Sequence, residues 1–172
     1  MSAVAGAHPQ PAAPSRSPLP PRPAPLAAWL PGAAPSVAVA RETARGFVAS
    51  ARLQDPERGV DLVVSELMTN AVTQVADCGA RVRLGLEVLL PGHVRVTVWD
   101  PISDQPQRPA RMADTWAETG RGLMLVGAYA SAWGVVPEEL GKSVWADVPV
   151  LAPALWRPAG TVPGQGSARE RG

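Results

Sequence analysis

The sequence has one cysteine, Cys78, so no disulfide can close within the chain. That fits a reducing compartment and an expected cytoplasmic location. Histidine is nearly absent: His8 falls in a proline-rich arm and His93 in a hairpin turn. This leaves no His–Cys metal cluster and no Ser–His–Asp arrangement. An excess of one charge is missing as well, with a formal net charge of +1 and 18% charged residues. No basic field points to nucleic acid or to a membrane surface. Long hydrophobic runs are lacking too. The longest, Leu123 to Val136, is 14 residues with Gly127, Ser131 and Gly134 inside it, against about 20 for a bilayer span. The first residues have no charged start followed by an apolar run, so no leader peptide and no membrane association are expected.

What the chain does have is proline, and its placement outlines the domain. Eight of the 20 prolines lie in the first 25 residues, among Ala, Ser and Arg. Residues 1–34 are therefore predicted to form a disordered or polyproline-like arm. Pro153, Pro158 and Pro163 mark residues 151–172 as a flexible tail in which Leu155 and Trp156 could still dock. One folded unit over 35–150 remains, long enough for a single modest core.

Inside that unit two periodicities alternate. Ser36 is a plausible N-cap for a helix with Val37, Ala40, Ala44, Phe47, Val48 and Ala51 on one stripe. A second helix, from near Pro56, carries Val60, Val63, Val64, Leu67, Met68, Ala71, Val72 and Val75 at i, i+3, i+4 spacing. The period then drops to two. Val82, Leu84, Leu86 and Val88, a Pro91-Gly92 turn, and Val94, Val96 and Val98 read as an antiparallel hairpin with one buried face. Pro101, Pro106 and Pro109 interrupt an aperiodic segment that runs to Gly120. A third helix is predicted from Gly122 to about Trp133, then a last hairpin with Val135, Val136, Val144, Ala146 and Val148. The order α-α-β-β-α-β-β predicts an α+β fold, a two-layer sandwich with helices on one face of a mostly antiparallel sheet.

Three places could carry chemistry. Glu66, Asn70 and Gln74 stack along the polar side of the second helix. A carboxylate and an amide oxygen one turn apart can hold a magnesium ion whose shell is completed by phosphate and water, although polar residues on an outer helix face need no function. Asp100 ends a strand, where it could accept from an exocyclic amine or simply open a turn. Gly120-Arg121-Gly122-Leu123 sits at a loop-to-helix junction. Backbone can approach a ligand there, and free N–H groups favour an anion. No Walker loop is present. Cys78 reads as structural, and the six scattered tryptophans as core packing.

Taken in order, Ser65-Glu66-Leu67-Met68-Thr69-Asn70-Ala71-Val72, Val98-Trp99-Asp100, Gly120-Arg121-Gly122-Leu123 and Gly141-Lys142-Ser143-Val144-Trp145-Ala146 resemble the GHKL-type ATPase/kinase family. The likeness is to its small bacterial anti-sigma-factor-like serine kinases. It covers most of 36–149 and implies a Bergerat-type ATP-binding fold with ATP and Mg²⁺ as cofactors. It also implies roles: Asn70 holds magnesium, Glu66 is the catalytic carboxylate, and Asp100 reads the adenine amine. Gly120, Arg121 and Gly122 form the phosphate-side junction, Leu123 sits beside the phosphates, and Ser143 stands near the adenine. The run Asp100-Pro101-Ile102-Ser103-Asp104-Gln105-Pro106 resembles a glycine-free variant of the family's lid entrance, and Gln74 replaces a frequent histidine. The expected function is phosphorylation of a small antagonist partner by a protein serine/threonine kinase that regulates transcription. The alternative is an ATP-bound module that sequesters a sigma factor or other regulator by binding alone. A homodimer is possible.

Overall fold

The computed structural model describes residues 23–89, 92–103 and 120–153. The elements run β1 (Leu26–Pro31), α1 (Pro35–Ser50), α2 (Gly59–Gln74), β2 (Arg81–Leu89), β3 (His93–Asp100), α3 (Gly120–Tyr129), β4 (Ala132–Glu138) and β5 (Gly141–Pro149). The five strands form one sheet in the order β1-β2-β3-β5-β4, every pairing antiparallel. The helices lie on one side, with α2 packed on β3 and β5 and flanked by α1 and α3. This is the α+β two-layer sandwich that the alternating periods predict.

Burial follows those periods. Val82, Leu84, Leu86 and Val88 of β2 and Val94, Val96 and Val98 of β3 are buried, facing Val60, Val63, Val64, Leu67 and Met68 of α2. Four valines and two threonines give α2 a modest intrinsic helix preference, so burial of its apolar stripe stabilises it. Its start is held by Asp55, whose carboxylate accepts from the backbone N–H of Gly59 (2.8 Å) and Val60 (3.0 Å). This satisfies two of the donors that a helix start leaves over. Asp61 follows one turn on and gathers Arg45 (2.9 Å), Arg58 (3.1 Å) and Arg41 (3.4 Å). Burial alone would raise the Asp61 pKa, but the hydrogen bonds from Arg45 and Arg41 outweigh it and hold the carboxyl below its usual range.

Several expectations change. The predicted arm over 1–34 contains β1, which pairs with β2 from Leu26↔Leu86 to Pro31↔Arg81. Flanking Pro23 and Pro25 disguise a six-residue strand whose inward residues Leu26 and Leu30 pack on the core. As an edge strand it tolerates a terminal proline. Ser36 does not cap α1. The cap position is Ala34, Pro35 is the first helical residue, and Ser36 is buried, an arrangement suited to proline's fixed φ. α3 begins at Gly120 and ends at Tyr129, because Ser131 turns to bond Asp147 O through its backbone N–H (2.8 Å) and Oγ (3.1 Å). Trp133 belongs to β4.

Of the tryptophans expected in the core, Trp133 packs against it, and three others do not. Trp29, Trp99 and Trp145 lie on the sheet face opposite the helices, where Trp29 meets Trp99 edge-on with centroids 5.4 Å apart. Arg83 covers Trp29 and Arg95 covers Trp145, at 5.7 and 4.5 Å from the ring centres. Arg95 is also clamped by both Asp147 oxygens (2.7 and 2.8 Å). Cys78, expected to be structural, is exposed in the turn after α2. Residues 155 and 156, considered for docking, lie outside the described residues, as do 1–22.

Candidate functional site

The period-two pattern of β3 carries one polar residue inward. Asp100, the last of the strand, is 2% exposed. A carboxylate so placed must be paired. Its Oδ1 accepts from Ile102 N (3.0 Å) and from Lys142 Nζ (3.0 Å), and Lys142 also donates to Ile102 O (3.0 Å). The pairing register sets Asp100 opposite Lys142 at the start of β5. Gly141, at φ +134°, makes this approach possible: a Cβ there would strike Asp100 O and lie 2.8 Å from Pro101 Cα. Among the described residues, nothing hydrogen-bonds to Asp100 Oδ2.

On α2, Glu66 and Asn70 stand one turn apart, both half-buried. They flank the first turn of α3. A Cβ built on Gly122 would lie 2.5 Å from Glu66 Oε2 and 3.9 Å from Asn70 Nδ2, so a side chain at 122 would push the Glu66 carboxylate aside. Among the described residues, the side chains of Glu66 and Asn70 make no hydrogen bond or ion pair. A carboxylate and an amide, half-buried beside a helix start, thus keep polar atoms that water or a ligand can satisfy.

The structure therefore brings Glu66, Asn70 and Gly122 together, and separately joins Asp100 to Lys142. Gly120 opens α3 and Arg121 is its second residue, with the Arg121 side chain outside the described residues. Leu123 is 6% exposed and belongs to the core with Val126. Gln74, at the end of α2, is exposed. The expected lid entrance from 104 onward lies outside the described residues.

Ser143 goes elsewhere. It pairs with Trp99 and Val136, on the face opposite the helices, and its hydroxyl donates a short hydrogen bond to Glu138. Its expected place near a base beside Asp100 is filled by Lys142, one residue earlier. Sequence reasoning did not single out Lys142 and Gly141, which hold Asp100 at this corner of the sheet. The signal was available: Val144, Ala146 and Val148 share a face, and position 142 falls on it while 143 does not.

Glu66 and Asn70 offer two side-chain oxygen donors of the kind a divalent cation takes. No group of three or more His, Cys, Asp or Glu that could hold a metal occurs among the described residues. One carboxylate and one amide oxygen suit Mg²⁺ that keeps phosphate and water ligands, not an all-protein cage. Two hollows of about 300 and 350 Å³ lie around the N-terminal end of α2, lined by Asp55, Asp61 and Tyr129 among others. Neither borders Glu66, Asn70 or Asp100, and neither offers their combination of unspent polar atoms. No described helix is long and apolar enough to cross a membrane.

No protein-family model matches the sequence. The sandwich resembles the crystal structure of the RsbU and RsbW domains of Rv1364c from Mycobacterium tuberculosis, with a TM-score of 0.55 and 18% identity. The match covers 77% of this chain and 34% of that one, so the chain spans about a third of its length. The likeness is one of fold. A relative in Streptomyces coelicolor, Uncharacterized protein SCO4941, is 42% identical over 71 residues, which is 40% of this chain and 68% of that protein. The chain belongs to the same family as SCO4941.

Proposed function

We propose that the chain is a cytoplasmic ATP-binding regulator, a protein serine/threonine kinase of the anti-sigma-factor type that phosphorylates a small antagonist protein. The observation that carries this reading is the seat of Gly122 against Glu66 and Asn70, both with unspent polar atoms. The motif resemblance and the fold likeness to a chain with RsbU and RsbW domains support it.

Bound Mg-ATP would supply the γ-phosphoryl group for transfer. Asn70 would hold the magnesium through its amide oxygen, and the first N–H groups of α3, with Arg121, would face the phosphates. Gly122 keeps that turn close because it has no side chain. Glu66 would orient the acceptor hydroxyl of the partner and take its proton as the new P–O bond forms and the bond to ADP breaks. Asp100 Oδ2, without a hydrogen bond among the described residues, would accept the exocyclic amine of adenine.

A second reading, sequestration of a sigma factor or another regulator by binding alone, is favoured by one observation. The entrance after Asp100 contains no glycine, and Lys142 and Asp100 tie down Ile102 from both sides. Incubation with labelled ATP, Mg²⁺ and candidate partner proteins separates the two. The kinase reading expects label on a partner serine or threonine with wild type, and at least a hundredfold less with Glu66→Ala. ATP binding without transfer to a partner that binds the chain would favour sequestration.

A further inference from the structure

We infer that Lys142 is a base-recognition residue which, with Asp100, presents a donor beside an acceptor that matches the amine and ring N1 of adenine. The inference rests on the nucleotide reading above and adds to it a side chain that reads the ring directly.

The starting point is the register. Lys142 pairs with Asp100 across β3 and β5, so both side chains lie on the helix-facing side of the sheet. An ammonium on that side is unusual, because the positions that follow it on the face, Val144, Ala146 and Val148, are apolar. Its side chain is 22% exposed and that of Asp100 3%. The pair is thus largely desolvated, yet open to one side.

An ammonium has three donors. Two are spent, on Asp100 Oδ1 and Ile102 O, each at 3.0 Å. Among the described residues the third has no acceptor, and Asp100 Oδ2 has no donor. One unspent donor and one unspent acceptor therefore sit within a single ion pair whose geometry three hydrogen bonds fix. An adenine edge offers the complement: an exocyclic N–H for the carboxylate and a ring nitrogen acceptor for the ammonium. A guanine edge in the same pose offers a carbonyl to the carboxylate and an N–H to the ammonium, so both contacts become repulsive. If Lys142 only neutralised Asp100, an adenine whose N1 is replaced by C–H would bind as well as adenine itself.

The test compares ATP with 1-deaza-ATP, in which C–H replaces N1, by calorimetric titration of the full chain with Mg²⁺ present. Wild type is expected to bind 1-deaza-ATP at least tenfold more weakly than ATP, the scale of a lost hydrogen bond to a charged group. Lys142→Met is expected to bind the two alike, and Lys142→Gln, which keeps a donor, to retain part of the preference. Equal affinity of wild type for the two nucleotides would overturn the role of Lys142 while leaving ATP binding intact. Failure of wild type to bind ATP at all would overturn the nucleotide reading itself. The wild-type comparison needs no substitution, so it decides the matter even where Lys142→Met folds poorly.

Discussion

Gly122 rests against Glu66 so closely that a Cβ at position 122 would lie 2.5 Å from the carboxylate's Oε2. The contact joins the start of α3 to the polar side of α2. It also predicts which small substitution damages the site. Gly122→Ala must push the tip of the flexible Glu66 side chain aside, a cheap move for the fold that takes the carboxylate out of its place, so the thermal midpoint should change little. Mg-ATP affinity should fall at least tenfold. Gly127→Ala, whose Cβ would meet Trp133 Nε1 at an ordinary 3.5 Å, is the control. Its thermal midpoint should hold or rise, since alanine favours the helix by about 0.5–1 kcal/mol, with nucleotide affinity unchanged.

The strand at Leu26–Pro31 moves the start of the folded unit. A chain beginning at Pro35 keeps every predicted element yet lacks β1, leaving the backbone edge of β2 unpaired and Leu84 and Leu86 less covered. A chain beginning at Pro23 keeps the strand. By circular dichroism and light scattering, the shorter chain should melt at least 10 °C lower and aggregate, and the longer should match the full protein. Equal melting would mean that β1 adds nothing to the core.

Asp61 makes stability depend on pH in a definite sense. Its folded pKa is lowered, since hydrogen bonds from Arg45 and Arg41 outweigh the opposing effect of burial. Its contribution is therefore complete above the unfolded carboxyl pKa, about 4, and is lost as pH falls through the lower folded value. Asp61→Asn should melt lower than wild type at pH 7, and the gap should close as the solution is acidified below that point. The arginines are well exposed, so the gap should be on the order of 1 kcal/mol and shrink in salt. Urea titrations at several pH values give both dependences.

The core was the most legible part of the sequence, because α2, β2 and β3 each bury one face and burial imposes a period. β1 was hidden for the opposite reason: six residues between prolines are too short to declare a period, and only pairing with β2 makes them a strand. Glu66, Asn70, Asp100 and the Gly120–Gly122 junction could be named as candidates from residue type and order. Two kinds of fact could not be read that way. The crowding of Gly122 on Glu66 needs the helices docked, and the Asp100–Lys142 ion pair needs the β3–β5 register. Ser143 is the instructive case, since its motif position pointed to the base while strand parity places its side chain on the other face beside Glu138.

In the proposed site, Glu66 and Asn70 hold a magnesium nucleotide against the start of α3. The most direct measurement is ATP affinity with and without Mg²⁺, by calorimetry, for wild type and Asn70→Ala. Removing Mg²⁺ should weaken ATP binding by wild type at least tenfold. Asn70→Ala should bind ATP weakly and with little response to the metal. Absence of ATP binding by wild type, or the same magnesium response in both proteins, would contradict the account.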